Sequence, residues 1–402
     1  MNSKLAPGGV QVPIELLAAI AFVVTADIRV VIPLLRVIAD EFGADIGDAG
    51  AIVTAYALPY GLFQLVYGPI GDRLGKVRVM SFAISLFAIG TAASAIATSI
   101  PMLVALRLFT GIAAASFIPL SLSYVGDNVP YQQRQAAIAK LLTGIALGQV
   151  LSASLGGIVT DLLRWQHVFL AYGALSLGLG LLLWQRTRGL ADPARRIERP
   201  LHHALSAYRG LLANPAARIV YVGVFVEHLF FFGGFTYMGA YLRDEFNLSY
   251  LLIGLTLSAL GIGNLIYTRT AGALVRRLGE QRLLLLGGVI DCGAFLAFAL
   301  FWNWVALIPV LVVFGVGYYL MHATLQTRAT ELAPETRGTA VALFAFSIFV
   351  GQGVGAALFG AVVDSSGYQP AFLLSAVGLL LLGIGFVLVA RPAEPTRPRM
   401  SG

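Results

Sequence analysis

Cysteine is nearly absent from this chain: Cys292 stands alone, so no intramolecular disulfide framework exists. Charge is scarce too. Charged residues are 12% of the total and hydrophobic ones 58%, with a mean hydropathy of +0.83. A soluble domain carries about 25% charged residues, so water cannot be the only solvent here. Alternating polar and apolar strands are missing, and the apolar runs are too long for them, which excludes a membrane barrel. No Gly-x-x-x-x-Gly-Lys-Ser/Thr phosphate loop, paired-cysteine spacing or His-Glu-x-x-His occurs. The chain therefore lacks an enzyme signature, and ATP hydrolysis is not expected of it.

What the chain has is apolar runs of about twenty residues bounded by charge, Gly or Pro. Twelve can be read, at about 14–36, 49–69, 77–97, 101–123, 137–160, 166–185, 218–241, 251–272, 282–301, 303–325, 339–361 and 370–390. The first has neither a strongly basic start nor a small-residue cleavage site after it, and reads as a retained helix, not a signal peptide. The chain also repeats itself. Arg134, Gly148-Gln149, Gly157, Asp161, Trp165-Gln166 and Phe169 recur 203 residues later as Arg337, Gly351-Gln352, Gly360, Asp364, Tyr368-Gln369 and Phe372. Gly68-x-Ile70-x-Asp72-Arg73-Leu74-Gly75 has a second, degenerate copy in Gly272-x-Leu274-x-Arg276-Arg277-Leu278-Gly279. A duplicated unit of long apolar segments points to a transporter built from two similar bundles. The expected fold is an all-α integral membrane protein, with twelve transmembrane helices in two pseudo-symmetric six-helix bundles. Residues 1–185 form the first bundle, 186–217 the connection, and 218–402 the second bundle with a short tail.

The Lys/Arg bias predicts orientation. With both termini in the cytoplasm, that side receives Lys4, Arg73, Lys76, Arg78, Arg134, Lys140, the arginines of 186–217 and 276–282, and Arg391, Arg397 and Arg399. The opposite side has only Arg36, Arg164 and Arg243, among eight acidic residues that include Asp161, Asp244 and Asp364. The net charge of +7 then reflects topology, not a nucleic-acid partner. The middle of the connection, about 201–212, reads as a short amphipathic helix on the inner leaflet. His202 and His203 within it are adjacent and lack a third ligand nearby, so no metal is expected there.

The stretch Gly68-Pro69-Ile70-Gly71-Asp72-Arg73-Leu74-Gly75-Lys76, with Val77 before Arg78, resembles the loop signature of the major facilitator superfamily. Arg107-x-x-x-Gly111, Asp27 with Pro33, and Thr54-Ala55-Tyr56 are similar to further motifs of its twelve-helix drug:proton antiporter branch. The resemblance covers nearly the whole chain. It departs in span five, where Ser152-Ala153 stands ahead of Gly156-Gly157 in place of the branch's usual Gly-Pro. Gly144 and Gly148 remain there as a small-residue face for close helix packing.

Charges buried in a bilayer are costly unless paired or wet. Asp27 and Arg29 lie in span one, Arg107 in span four, Glu227 and His228 in span seven, Asp291 in span nine, and His322 in span ten with Gln326 one turn on. The resemblance implies that spans one, four, seven and ten line a central cavity. Asp27 and Arg29 are about 200° apart on their helix. Asp27 is read as the cavity carboxylate, with Arg107 as its counter-charge, and Arg29 as a structural cation; the reverse is the alternative. A permanent Asp27–Arg107 pair that only stitches the bundle is also open. Glu227 sits at the repeat position of residue 24, one turn from the counterpart of Asp27. Two carboxylates facing each other would suit a proton competing with a cationic substrate. His228 and His322 can titrate near neutral pH or simply pack. Asp291 reads as a structural residue or the partner of a neighbouring helix.

Tyr56, Tyr60, Phe63 and Tyr67 share one helix face and, with Phe231 and Tyr237, offer either ligand stacking or ordinary packing. Gly233-Gly234 is a candidate bending point. In the loop signature, Gly68 and Gly75 permit a tight connection. Asp72 can accept from a helix start in the other bundle, Lys76 or Arg78 can reach Asp127, and Arg73 adds to the basic turn. These residues imply a secondary carrier working by alternating access without a cofactor, powered by a proton gradient. It would act as a monomer in a bacterial inner membrane, and the small-molecule substrate would be a lipophilic compound, a cationic one included, on its way out. Uptake of a small nutrient or organic anion, bound by Arg29 and Arg107, is the alternative.

Overall fold

The computed structural model describes residues 12–188, 201–300, 303–332 and 337–389. Lys4, Arg195, Arg196, Arg199, Arg391, Arg397 and Arg399 fall outside the described residues, as do the side chains of His202, His203 and Arg337.

Twelve helices among the described residues are long and apolar enough to cross a membrane. Spans one to six are Ile14–Phe42, Ile46–Leu74, Lys76–Ser94, Ile100–Asn128, Tyr131–Leu162 and Trp165–Thr187. Spans seven to twelve are Pro215–Phe246, Tyr250–Leu278, Glu280–Leu300, Trp304–Glu331, Gly338–Ser366 and Tyr368–Val389. Several outrun the apolar cores read from sequence. Span five, with 32 residues, is about 48 Å long at 1.5 Å per residue, against a hydrocarbon core of about 30 Å. Its polar ends continue the helix past the lipid. Because the number of spans is even, span one begins and span twelve ends on the same side, the terminal face; the opposite side is the far face.

Two spans are interrupted. Span one is α-helical over Ile14–Val30, passes through a 3-10 turn at Ile32–Leu34, and resumes at Leu35–Phe42. Pro33 lies in the turn, where it lacks a donor and its ring crowds the preceding turn. Span four divides into Ile100–Ala114 and Phe117–Asn128. Span seven, by contrast, runs unbroken through Gly233-Gly234. A methyl group at Gly233 would strike the Phe359 ring and one at Gly234 the Phe295 ring, so these glycines admit neighbouring aromatics.

The 203-residue repeat survives as geometry. Gly148 of span five lies against the Phe22 carbonyl of span one, and Gly351 of span eleven lies against the Phe225 carbonyl of span seven. Both members of each pair are shifted by the repeat. Trp165 Nε1 donates to Glu41 at 2.7 Å, and its counterpart Tyr368 donates to Asp244 at 2.6 Å. Small residues also join the bundles: Gly157 meets the Tyr250 backbone, and Gly360 meets that of Gly47. Spans five and eight therefore pair across the bundle interface as spans eleven and two do. In the connection, a helix spans Leu201–Ala213. Its Leu211 is buried among apolar residues that include Val220, Leu325 and Phe344, and Tyr208 donates to the Leu65 carbonyl at 3.3 Å.

Candidate functional site

Asp27 and Arg107 form a closed pair inside the first bundle. Arg107 gives Asp27 one bond at 2.7 Å to the carboxylate and one at 3.1 Å to its backbone carbonyl. The guanidinium lies over the Tyr56 ring at 4.3 Å, and Asp27, Tyr56 and Arg107 are all buried. With the two charges aimed into the bundle, Arg29 is carried to the other side of the helix. Its guanidinium sits over Phe232 of span seven, 4.2 Å from the ring centroid. Phe232 is also the residue that the repeat places opposite Arg29. The expected assignment is thus reversed: Arg29 faces the space between the bundles and Asp27 does not. The cause is the 200° separation, which lets one residue find its counter-ion inside the bundle only if the other turns away.

The second bundle holds a different cluster. Glu227 is wholly buried, with His228 Nδ1 and His322 Nδ1 both 3.4 Å from one carboxylate oxygen. Its other oxygen has no hydrogen-bond partner among the described residues. His228 Nδ1 lies 2.9 Å from the Val224 carbonyl, and its Nε2 lies 3.1 Å from the Tyr318 hydroxyl. Adjacent in sequence, Glu227 and His228 still meet. The expectation that Glu227 would face Asp27 across a shared cavity fails, because each is engaged inside its own bundle. Gln326 is exposed and takes no place in the cluster. Asp291 is buried with neither oxygen hydrogen-bonded, so the neighbouring-helix partner expected for it is absent among the described residues. Glu227, His228 and His322 offer three ligand atoms within 4.8 Å of one another, a set able to hold a divalent cation only if these hydrogen bonds gave way.

Between the bundles lies a cavity of about 70 Å³. Arg29, Gln149, Ser152, Ser258 and Asn264 supply its polar wall, and Phe231, Phe232, Phe235, Tyr318 and Tyr319 its aromatic one. Spans one, five, seven, eight and ten contribute; span four does not. The space holds a few waters and is smaller than the roughly 300–1,000 Å³ of a ligand site, so loading requires the bundles to part. Tyr318 joins the two centres, since it lines the cavity and contacts His228. Of the expected aromatic residues, Phe231 is in the lining. Tyr60 packs against Phe349 with ring centroids 4.2 Å apart, bridging spans two and eleven. Tyr237, expected at the cavity, instead donates to the Ala356 carbonyl at 2.7 Å and is fully buried, because Gly50 and Gly360 leave room only there. Sequence reading missed Ser258, Asn264, Tyr318 and Tyr319. The signal available was a polar or tyrosine side chain within an apolar run.

At the far face, two carboxylates cross between the bundles. Asp161, ending span five, accepts from the Tyr250 and Leu251 amides at 3.0 and 2.7 Å. Asp364, ending span eleven, accepts from the Gly47 amide at 2.8 Å. Each meets the amino-terminal end of a helix in the opposite bundle, where amides are free and the dipole favours an anion. Asp161 and Asp364, like Gly47 and Tyr250, are related by the repeat. Arg36 adds a third tie to Asp244 at 3.0 Å.

The loop signature is organised within one bundle. Lys76 bonds Asp127 and lies 3.3 Å from Asp72. The expected cap of the other bundle by Asp72 is not formed among the described residues, because its carboxylate is turned to Lys76. Gly75 has φ 94° and makes the turn. Gly68 lies inside span two with open space around it, so it is not what makes the connection tight. Arg73 is exposed, and Arg78 is exposed but not free of partners.

The profile of the Major Facilitator Superfamily matches residues 17–352. An uncharacterized transporter of that type from Bacillus subtilis, YceJ, is 27% identical over 360 residues, covering 88% of this chain and 90% of its own. A probable sugar efflux transporter from Helicobacter pylori is 26% identical, covering 90% of this chain and 91% of its own. Among solved structures, a bacterial homologue of the human lysosomal transporter Spinster, inward-facing and occupied, superposes with a TM-score of 0.77 at 17% identity, over 93% of this chain and 95% of its own.

Proposed function

Because the chain belongs to the Major Facilitator Superfamily, a family of secondary carriers rather than enzymes, we propose that it is a proton-coupled exporter of a small amphipathic compound. One observation carries this reading: a cavity between the bundles shares Tyr318 with a buried cluster of Glu227, His228 and His322. A carboxylate between two imidazoles can hold or release a proton as its surroundings wet and dry. Tyr318 passes changes in the cavity to His228, so substrate and proton occupy the carrier in turn. The basic terminal face is the cytoplasmic one, and the shut far face then makes this state inward-facing. Export agrees with the name given to the Helicobacter pylori relative. The mixture of amide, hydroxyl and aromatic groups suits a ring bearing hydrogen-bonding substituents. A cationic substrate is disfavoured, since among the described residues no carboxylate lines the cavity and Arg29 is its one charge. Uptake with a proton is the second reading, and the same cation favours it.

The test is proton movement in liposomes that contain the purified protein and a pH-sensitive dye. A transported compound should drive proton flux in the opposite direction. Glu227→Gln should abolish that flux, whereas removing the Asp27–Arg107 pair as a unit should not. Flux in the same direction as the compound would replace export by uptake. Flux unchanged in Glu227→Gln would remove the cluster from coupling.

A further inference from the structure

We infer that the transported compound carries an anionic group, a carboxylate or its equivalent, bound by Arg29 with its flat apolar part against the span-seven and span-ten aromatics. This rests on the carrier reading and specifies its substrate. Arg29 is the one charged residue of the cavity wall among the described residues. Its Nη1 is buried and has no hydrogen-bond partner, and no carboxylate lies within ion-pair distance of it among the described residues. Arg107 is different, since Asp27 neutralises it within the bundle. Set over the face of Phe232 in a membrane interior, with no anion within ion-pair distance among the described residues, this guanidinium has donors suited to an anionic ligand. The face of Phe232 offers favourable quadrupole electrostatics but no anion, so it holds the group in place without discharging it.

The rest of the wall points the same way. Gln149 receives a bond from Tyr319 at 3.1 Å, which fixes its amide at the cavity edge. Ser152 Oγ is buried and has no hydrogen-bond partner among the described residues, in the place where the family resemblance predicts the glycine of Gly-Pro. A carboxylate bound by Arg29 would find hydroxyl and amide donors on spans five and eight and aromatic rings on spans seven and ten. Lipophilic cations would meet a cation and no counter-charge.

The direct experiment is equilibrium binding to the purified full chain of three probes sharing one ring: naphthoate, naphthamide and naphthylmethylammonium. Naphthoate should bind roughly tenfold or more tightly than the amide, as a charge-assisted bidentate bond implies, and the ammonium should bind weakest. Arg29→Gln should erase the difference between acid and amide. Arg29→Lys should restore part of it, as a point charge lacking the fork. Equal binding of acid and amide, a preference that survives Arg29→Gln, or no binding of naphthoate would overturn the proposal. The comparison of probes on the unaltered protein needs no variant to fold. Liposome flux separates the two readings. Acid-selective binding without gradient-driven flux would support the anion site and remove the carrier reading. Gradient-driven flux of neutral compounds, unaffected in Arg29→Gln, would do the reverse.

Discussion

Asp27 and Arg107 form a fully buried ion pair that lies outside the cavity wall. Both are fully enclosed, and losing one partner leaves an uncompensated charge. Asp27→Asn or Arg107→Gln should therefore cost about 3–5 kcal/mol of stability, read as a lower melting temperature in detergent. The double variant should recover much of that loss, because its two neutral groups can coexist. Tyr318→Phe keeps the ring stacked on His322 and removes only the hydroxyl beside His228. It should leave substrate affinity close to unchanged, since the ring remains in the cavity wall, and alter the pH profile of flux, the mark of a hydroxyl that couples rather than binds. At this scale the sequence was half legible. The identities of the buried charges stood out against apolar runs, and the Asp27–Arg107 partnership followed from their spans. Which of Asp27 and Arg29 faced the cavity did not follow. Helical spacing fixes the angle between two side chains but not the rotation of the helix in its bundle, and only the position of Arg107 and Phe232 settles that.

Among the elements, the twin caps of the far face matter most. Asp161 and Asp364 close spans five and eleven onto spans eight and two, and the repeat makes them equivalent devices. Replacing a capping carboxylate costs roughly 0.5–2 kcal/mol, enough to shift a balanced two-state carrier by about two- to thirtyfold. Asp161→Ala and Asp364→Ala should each make the far face open more often, and the double variant more than either. Labelling of Ser154→Cys by a maleimide, in a Cys292→Ser background, measures this, because Ser154 is bonded to Ser258 across the shut interface at 2.8 Å. Unaltered labelling would show that the small-residue contacts alone keep the face closed. The spans themselves were readable because each is a run of apolar residues of membrane length. Their edges were not, since polar residues propagate a helix as well as apolar ones. Both aspartates were visible as repeated positions. Their role was hidden, because a cap depends on where the other bundle's helix begins.

For the whole molecule, the account is of two pseudo-symmetric bundles whose internal charges have diverged. The first pairs Asp27 with arginine; the second leaves Glu227 to histidines, and Asp291 to no cation within ion-pair distance among the described residues. On the proposed reading, one bundle is a rigid partner and the other holds the proton. The duplication was plain from glycines and aspartates shared across 203 residues, whereas this division of labour lies in the residues that the repeat does not share. The central claim is that protonation at Glu227 moves the bundles. Spin labels at Leu162→Cys and Glu245→Cys, both exposed near the far face, in the Cys292→Ser background, report their separation by electron–electron distance measurement. The account predicts two distances whose populations change with pH in the parent protein, and a fixed distribution across the same pH range in Glu227→Gln. The same pH response in both proteins would contradict it.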